Sequence, residues 1–135
     1  MHHAVGTFTV KVTPQAQDAA PENGVATARM GLVKQFSGAL EGAAAGTMIS
    51  AGTPAPGQAA AYVAIDQFHG RLDGRAGGFM LVHRGTISRA GDARLEVLIA
   101  PDSGSGDLSG ISGSLAITVR DGQHHYDLSY KLPGG

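Results

Sequence analysis

Residues 60–87, AAYVAIDQFHGRLDGRAGGFMLVHRGTI, constrain the fold more than any other stretch of this chain. Two runs rich in aliphatic and aromatic residues flank a turn-rich centre, Leu72-Asp73-Gly74-Arg75-Ala76-Gly77-Gly78. Aromatic and β-branched side chains fit a pleated, half-buried surface, while aspartate and glycine together fit a tight reversal. The stretch therefore reads as one long β-hairpin. By alternation, Tyr62, Asp66 and Phe68 share a face of the first arm, and Phe79, Leu81 and His83 share a face of the second.

The same period of two runs through the rest of the chain. Residues 4–12 place Phe8, Val10 and Val12 on one face and Thr7, Thr9 and Lys11 on the other. Residues 13–26, with Pro14, Pro21 and Asn23-Gly24, read as a surface loop, and Met1–His3 as a disordered end. A second strand over 27–37 carries Met30, Leu32, Lys34 and Phe36 on one face. A lysine there is expected to snorkel to water from a strand end. The Ala/Gly-rich segment to about Ser50 reads as a strand, because flanking glycines and β-branched residues oppose a helix. Further strands follow over 93–100, 111–120 and 123–132, the last two joined by Asp121-Gly122. Gly-x-Leu-x-Gly recurs at 38–42, 70–74 and 106–110, a bend with a leucine placed to pack on the next layer.

About eight strands and no helix predict an all-β domain spanning residues 1–135. Short turns between long strands favour an eight-stranded antiparallel closed barrel over a sandwich, because closure removes exposed edges.

Composition narrows the function classes. There is no cysteine, which excludes disulfides, thiolate metal sites and a thiol nucleophile. Ten basic and eleven acidic residues are scattered singly, with no basic stripe for nucleic acid. No apolar run approaches the roughly 18 residues of a membrane-spanning helix, and no leader pattern opens the chain, so a cytoplasmic location is expected. His124 and His125 are neighbours in a strand and point to opposite faces, a poor metal pair. Ser103-Gly104-Ser105-Gly106 lacks the Gly-Lys-Ser/Thr ending of a phosphate loop, and no Gly-x-Ser-x-Gly elbow occurs. The expectation is no metal and no cofactor.

Several segments together resemble an uncharacterised bacterial family. They are Gly6-Thr-Phe-Thr-Val10, Phe36-Ser-Gly-Ala-Leu-Glu-Gly42, Tyr62-Val-Ala-Ile-Asp66, the run from Gly70 to Thr86, and Pro101-Asp-Ser-Gly-Ser-Gly-Asp-Leu108. The resemblance implies a domain of unknown function with an allene oxide cyclase-like barrel. That family tends to carry glutamate where this chain has Asp66, and tryptophan near Val97. No residue-by-residue match to the cyclase catalytic motif is present, so that activity is not implied.

Asp66 and His83 are the leading catalytic candidates. A Gly74-Arg75 loop would set them directly opposite each other, and a turn on Asp73-Gly74 would set them on a diagonal, still within reach. A bulge at Gly77-Gly78 would part them. Inside a barrel they would form an acid/base pair. Tyr62, Phe68, Phe79, Leu81 and Lys34 are the expected substrate-binding residues. The functional expectation is a cofactor-independent isomerase, cyclase or lyase acting on a small apolar molecule. A lipocalin-like binding protein is the alternative, and a buried pair that merely fixes register is the structural one. Val63, Ile65, Met80 and Val82 make the other face of the hairpin apolar too, which predicts a homo-oligomer.

Overall fold

A computed structural model describes residues 1–134. They form nine strands: β1 (His2–Asp18), β2 (Thr27–Gly38), β3 (Leu40–Gly52), β4 (Ala60–Leu72), β5 (Arg75–Ile87), β6 (Ala93–Ile99), β7 (Ser105–Gly106), β8 (Ser112–Arg120) and β9 (Gln123–Lys131). Each of β1 to β5 pairs antiparallel with the next, β6 pairs with β8, β8 with β9, and β9 returns to β1. Eight strands thus close into an antiparallel barrel, and the two-residue β7 adds to β5. None of the described residues forms a helix long and apolar enough to cross a membrane.

The central hairpin turns on Asp73 (φ 49°) and Gly74 (φ 83°). Both are left-handed, as a type I′ turn requires, and glycine reaches that conformation without a Cβ penalty. The register that follows pairs Asp66 with Leu81 and His83 with Ala64. The alternative with Asp66 facing His83 directly is therefore corrected to the diagonal. Gly77 and Gly78 stay in register with Gly70 and His69, so no bulge parts the pair.

Two expectations at the amino-terminal end are also corrected. His2 is already in β1, paired with Tyr130, rather than frayed. β1 continues through the expected loop to Asp18: Pro14 pairs with Met30 and sits beside a bulge that skips Gln15, a place where strands admit proline. The reversal comes only at Pro21–Gly24, closed by Gly24 N donating to Pro21 O (2.9 Å).

The interior is layered along the barrel axis. Leu40, Leu72 and Leu108, the leucines of the three Gly-x-Leu-x-Gly copies, are all fully buried and belong to one core with Ile111 and Leu132. The segment bearing Leu108 is stapled to β5, where Gly78 N and Met80 N donate to Ser105 Oγ and Ser103 Oγ. All four phenylalanines of the chain meet within the same core. Phe36 lies 5.2 Å from Phe8, and edge-on to Phe68 (5.8 Å) and Tyr126 (5.6 Å), while Phe68 stacks tilted on Phe79 at 5.0 Å. Each such buried ring contributes roughly 2–3 kcal/mol by leaving water.

The outer face of the hairpin is apolar as expected. Ile65, paired with Val82, which pairs with Leu98, forms one exposed row, and Ile49 beside Val63 extends it.

Candidate functional site

Three polar side chains point into the barrel and are buried: Lys34 from β2, Asp66 from β4 and His83 from β5. Lys34 Nζ donates to Asp66 Oδ2 at 2.5 Å, and His83 Nε2 lies 2.8 Å from the same oxygen. A carboxylate can only accept, so Nε2 carries the ring hydrogen in this bond. It follows that the 3.4 Å approach of Lys34 Nζ to His83 Nε2 is proximity between two donors rather than a hydrogen bond. Asp66 Oδ1 is buried without a hydrogen-bond partner. Burial pushes the Asp66 carboxyl up, but the hydrogen bonds from His83 and Lys34, and then their charges, outweigh it and hold it below the usual carboxylate range.

The geometry depends on what β3 lacks. Lys34 must reach Asp66 across that strand, where Gly46 pairs with both Leu32 and Asp66. A Cβ at Gly46 would stand 2.6 Å from Asp66 Oδ1. The vacancy lets the two charged groups meet. Lys34 also sits over the Phe8 ring, 5.7 Å from its centroid, a favourable cation–π placement.

The depressed carboxyl has a stability consequence whose sign is fixed. Its folded-state value lies below the unfolded one, so its contribution is full above the ordinary carboxylate pKa, about 4. It is lost as pH falls through the lower folded-state value. Urea unfolding of wild type should therefore show a steeper loss of stability below about pH 4 than unfolding of Asp66→Asn does. Equal slopes for the two proteins would contradict the reading.

Beyond this cluster the barrel opens into a cavity of about 590 Å³. Met30, Met48, Tyr62, Ile87 and Leu95 supply its apolar wall, with Ser50 and Arg94 among its polar members. The Tyr62 ring lies against Gly85, where a Cβ would stand 2.1 Å from a ring carbon. Burial, and then the negative charge of Asp66, push the Tyr62 hydroxyl above its ordinary pKa. Tyr62 is thus the cavity residue that feels the charged cluster. Lys34, Asp66 and His83 do not line the cavity.

The structure brings Asp66 and His83 together and adds Lys34 to them. Lys34 does not snorkel; its side chain is turned inward and held by Asp66, which corrects that expectation. Among the expected substrate-binding residues, Tyr62 lines the mouth cavity. Phe68, Phe79 and Leu81 instead fill the packed core and do not reach it. Met30, Met48, Ile87 and Leu95 were missed as cavity residues. Their inward parity was the available signal, but parity does not say which layer stays unfilled. Among the described residues no three His, Cys, Asp or Glu side chains gather as a metal-ligand group, and the third member beside Asp66 and His83 is an amine.

Fold and site together define a closed eight-stranded antiparallel barrel with a sealed Lys–Asp–His cluster below an open apolar mouth. The chain belongs to the family described as Protein of unknown function (DUF3224), which it matches over residues 4–130. It is similar to a protein of unknown function from that family from Shewanella oneidensis MR-1, whose crystal structure is known at 1.84 Å resolution. The two are 41% identical, the match covers 100% of this chain and 99% of that one, and the TM-score is 0.90. No curated protein matches.

Proposed function

We propose that this chain binds a small, largely apolar molecule in the open mouth of its barrel. The observation that carries this reading is the cavity of about 590 Å³ walled by Met30, Met48, Tyr62, Ile87 and Leu95. Ligand sites of this kind span roughly 300–1,000 Å³ and combine apolar walls with a few fixed polar groups. Here the Tyr62 hydroxyl is such a group. Each methylene that leaves water for this wall contributes about 0.8 kcal/mol. Under this reading Lys34, Asp66 and His83 are framework, tying β2, β4 and β5 together through one carboxylate oxygen. Asp66→Asn, tested by calorimetric titration with an apolar probe such as 1-decanol, should leave the affinity nearly unchanged. A large loss of affinity in a folded Asp66→Asn protein would overturn the framework role.

One observation favours a second reading, a cofactor-independent isomerase, cyclase or lyase. Asp66 Oδ1 is a buried acceptor with no partner, beside a lysine and a histidine. Under this reading Asp66 and His83 move protons for a substrate that passes Tyr62. Asp66→Asn then abolishes turnover while binding survives, which separates the two readings.

The proposed protein partner is a second copy of the chain. Ile65, Val82 and Leu98 in one row, with Ile49 and Val63 beside them, are roughly half exposed and offer a continuous apolar strip. A two-fold interface pairs such a strip with itself. Light scattering at high concentration should give the mass of a dimer or larger, and Ile65→Lys should lower it to a monomer. A wild-type monomer would contradict this.

A further inference from the structure

We infer that the molecule held in the mouth is a monoanionic amphiphile, its apolar body in the cavity against Tyr62 and its charged head beside Arg89. This rests on the mouth-binding reading above and extends it to a ligand class. A second cavity of about 600 Å³ adjoins the apolar one, and Ser50 and Gly52 line both. The second has a different character. Gln17, Thr27, Thr53, Gln58 and Arg89 line it beside Val25 and three alanines, so amide, hydroxyl and guanidinium groups are set among small aliphatic ones where the cavity next door has methionines and a leucine.

No carboxylate lines either cavity, and the charged residues that do, Arg89 and Arg94, are both cationic. The chain as a whole carries a formal charge of −1, so this positive bias is local to the open end. Among the described residues neither arginine is in an ion pair, while Arg84 close by is engaged with Glu96 at 3.9 Å. Two acidic groups lie nearby without lining either cavity: Asp18, which accepts a hydrogen bond from Thr27 Oγ1 at 3.4 Å, and Asp92, which closes the turn that carries Arg89 and lines a neighbouring pocket with Arg94.

Physical chemistry then sorts the ligand. An apolar wall cannot satisfy an anionic head, which stays paired or wet. A planar guanidinium at a hydrated rim supplies both, and it bonds a carboxylate with more strength than a neutral donor does. A neutral apolar molecule would leave the polar cavity and Arg89 unused. A dianion would meet a single cation there, because Arg94 lines the apolar cavity instead.

The test is calorimetric titration of the full chain with decanoate and with 1-decanol, each below the concentration at which it self-associates. Wild type should bind decanoate about tenfold or more tightly than decanol, the ratio expected from one charge-assisted hydrogen bond. Added salt should shrink that ratio. Arg89→Gln should bring decanoate down to the affinity of decanol and leave decanol unchanged, while Arg89→Lys should keep most of the preference. Equal binding of the two probes by wild type, or a preference that survives Arg89→Gln, overturns the anionic head and leaves mouth binding standing. Failure of both probes to bind wild type overturns mouth binding itself, and this inference with it.

Discussion

Replacing Lys34 with methionine should lower the stability of the fold by about 3–5 kcal/mol, the range for removing one partner of a buried ion pair. Methionine keeps an unbranched apolar stem in place of the lysine stem and deletes the charge. Asp66 is then left fully buried, with one oxygen unpartnered and the other bonded to His83 alone. The cost comes mainly from stranding that carboxylate rather than from losing an attraction. A contrast makes the cause visible. Replacing Lys34, Asp66 and His83 together by apolar residues of similar size should restore most of the lost stability, because no charge is left in the interior. Urea unfolding of the two variants beside wild type reads both outcomes. A loss under about 1 kcal/mol in Lys34→Met would fit an exposed pair and contradict the buried one.

Gly46→Ala should cost about 3 kcal/mol, near the upper end for overpacking a filled interior. The added Cβ would stand 2.1 Å from the carbonyl oxygen of Ile65 and 2.6 Å from Asp66 Oδ1. The first of these atoms is backbone of the neighbouring strand, so β3 and β4 must separate locally. The second is the carboxylate that Lys34 reaches across this position, so the cluster loosens as well. The φ of Gly46 is not in the left-handed region, and the penalty is one of contact rather than backbone conformation. Urea unfolding measures the loss. Stability unchanged within about 0.5 kcal/mol would mean that the strand relaxes freely there, against the account of why glycine occupies the site.

Much of this architecture is legible in the residues. Alternation places Asp66 and His83 on the inner face, and Asp73-Gly74 selects the turn that fixes their diagonal. The three Gly-x-Leu-x-Gly copies correctly mark leucines that pack, since Leu40, Leu72 and Leu108 are all fully buried. Lys34 was harder to read. Its inward parity is plain between Leu32 and Phe36, but its partner lies 32 residues away, two strands along, across a glycine. Local pattern gives the face a side chain takes; it does not give the neighbour it meets once the sheet curls and closes. The same limit explains the cavity. Phe68 and Tyr62 share one face of β4, yet Phe68 sits in the aromatic cluster and Tyr62 at the open end. Which inward layers are filled depends on volumes summed over all eight barrel strands, not on one strand. The continuation of β1 to Asp18 was hidden by Pro14, a residue that usually ends a strand and here sits beside a bulge.

The central claim is that the open mouth, and not the outer face or the closed end, takes up a small apolar molecule. The chain has four methionines, and they are placed to report on it. Met30 and Met48 line the mouth, whereas Met1 is exposed at the chain start and Met80 lies outside the cavity on β5. Titrating 1-decanol into protein labelled with ¹³C at the methionine methyls should shift the Met30 and Met48 signals along one saturable curve and leave Met1 and Met80 still. Shifts led by Met80, or no saturable shift at Met30 and Met48, would contradict the account.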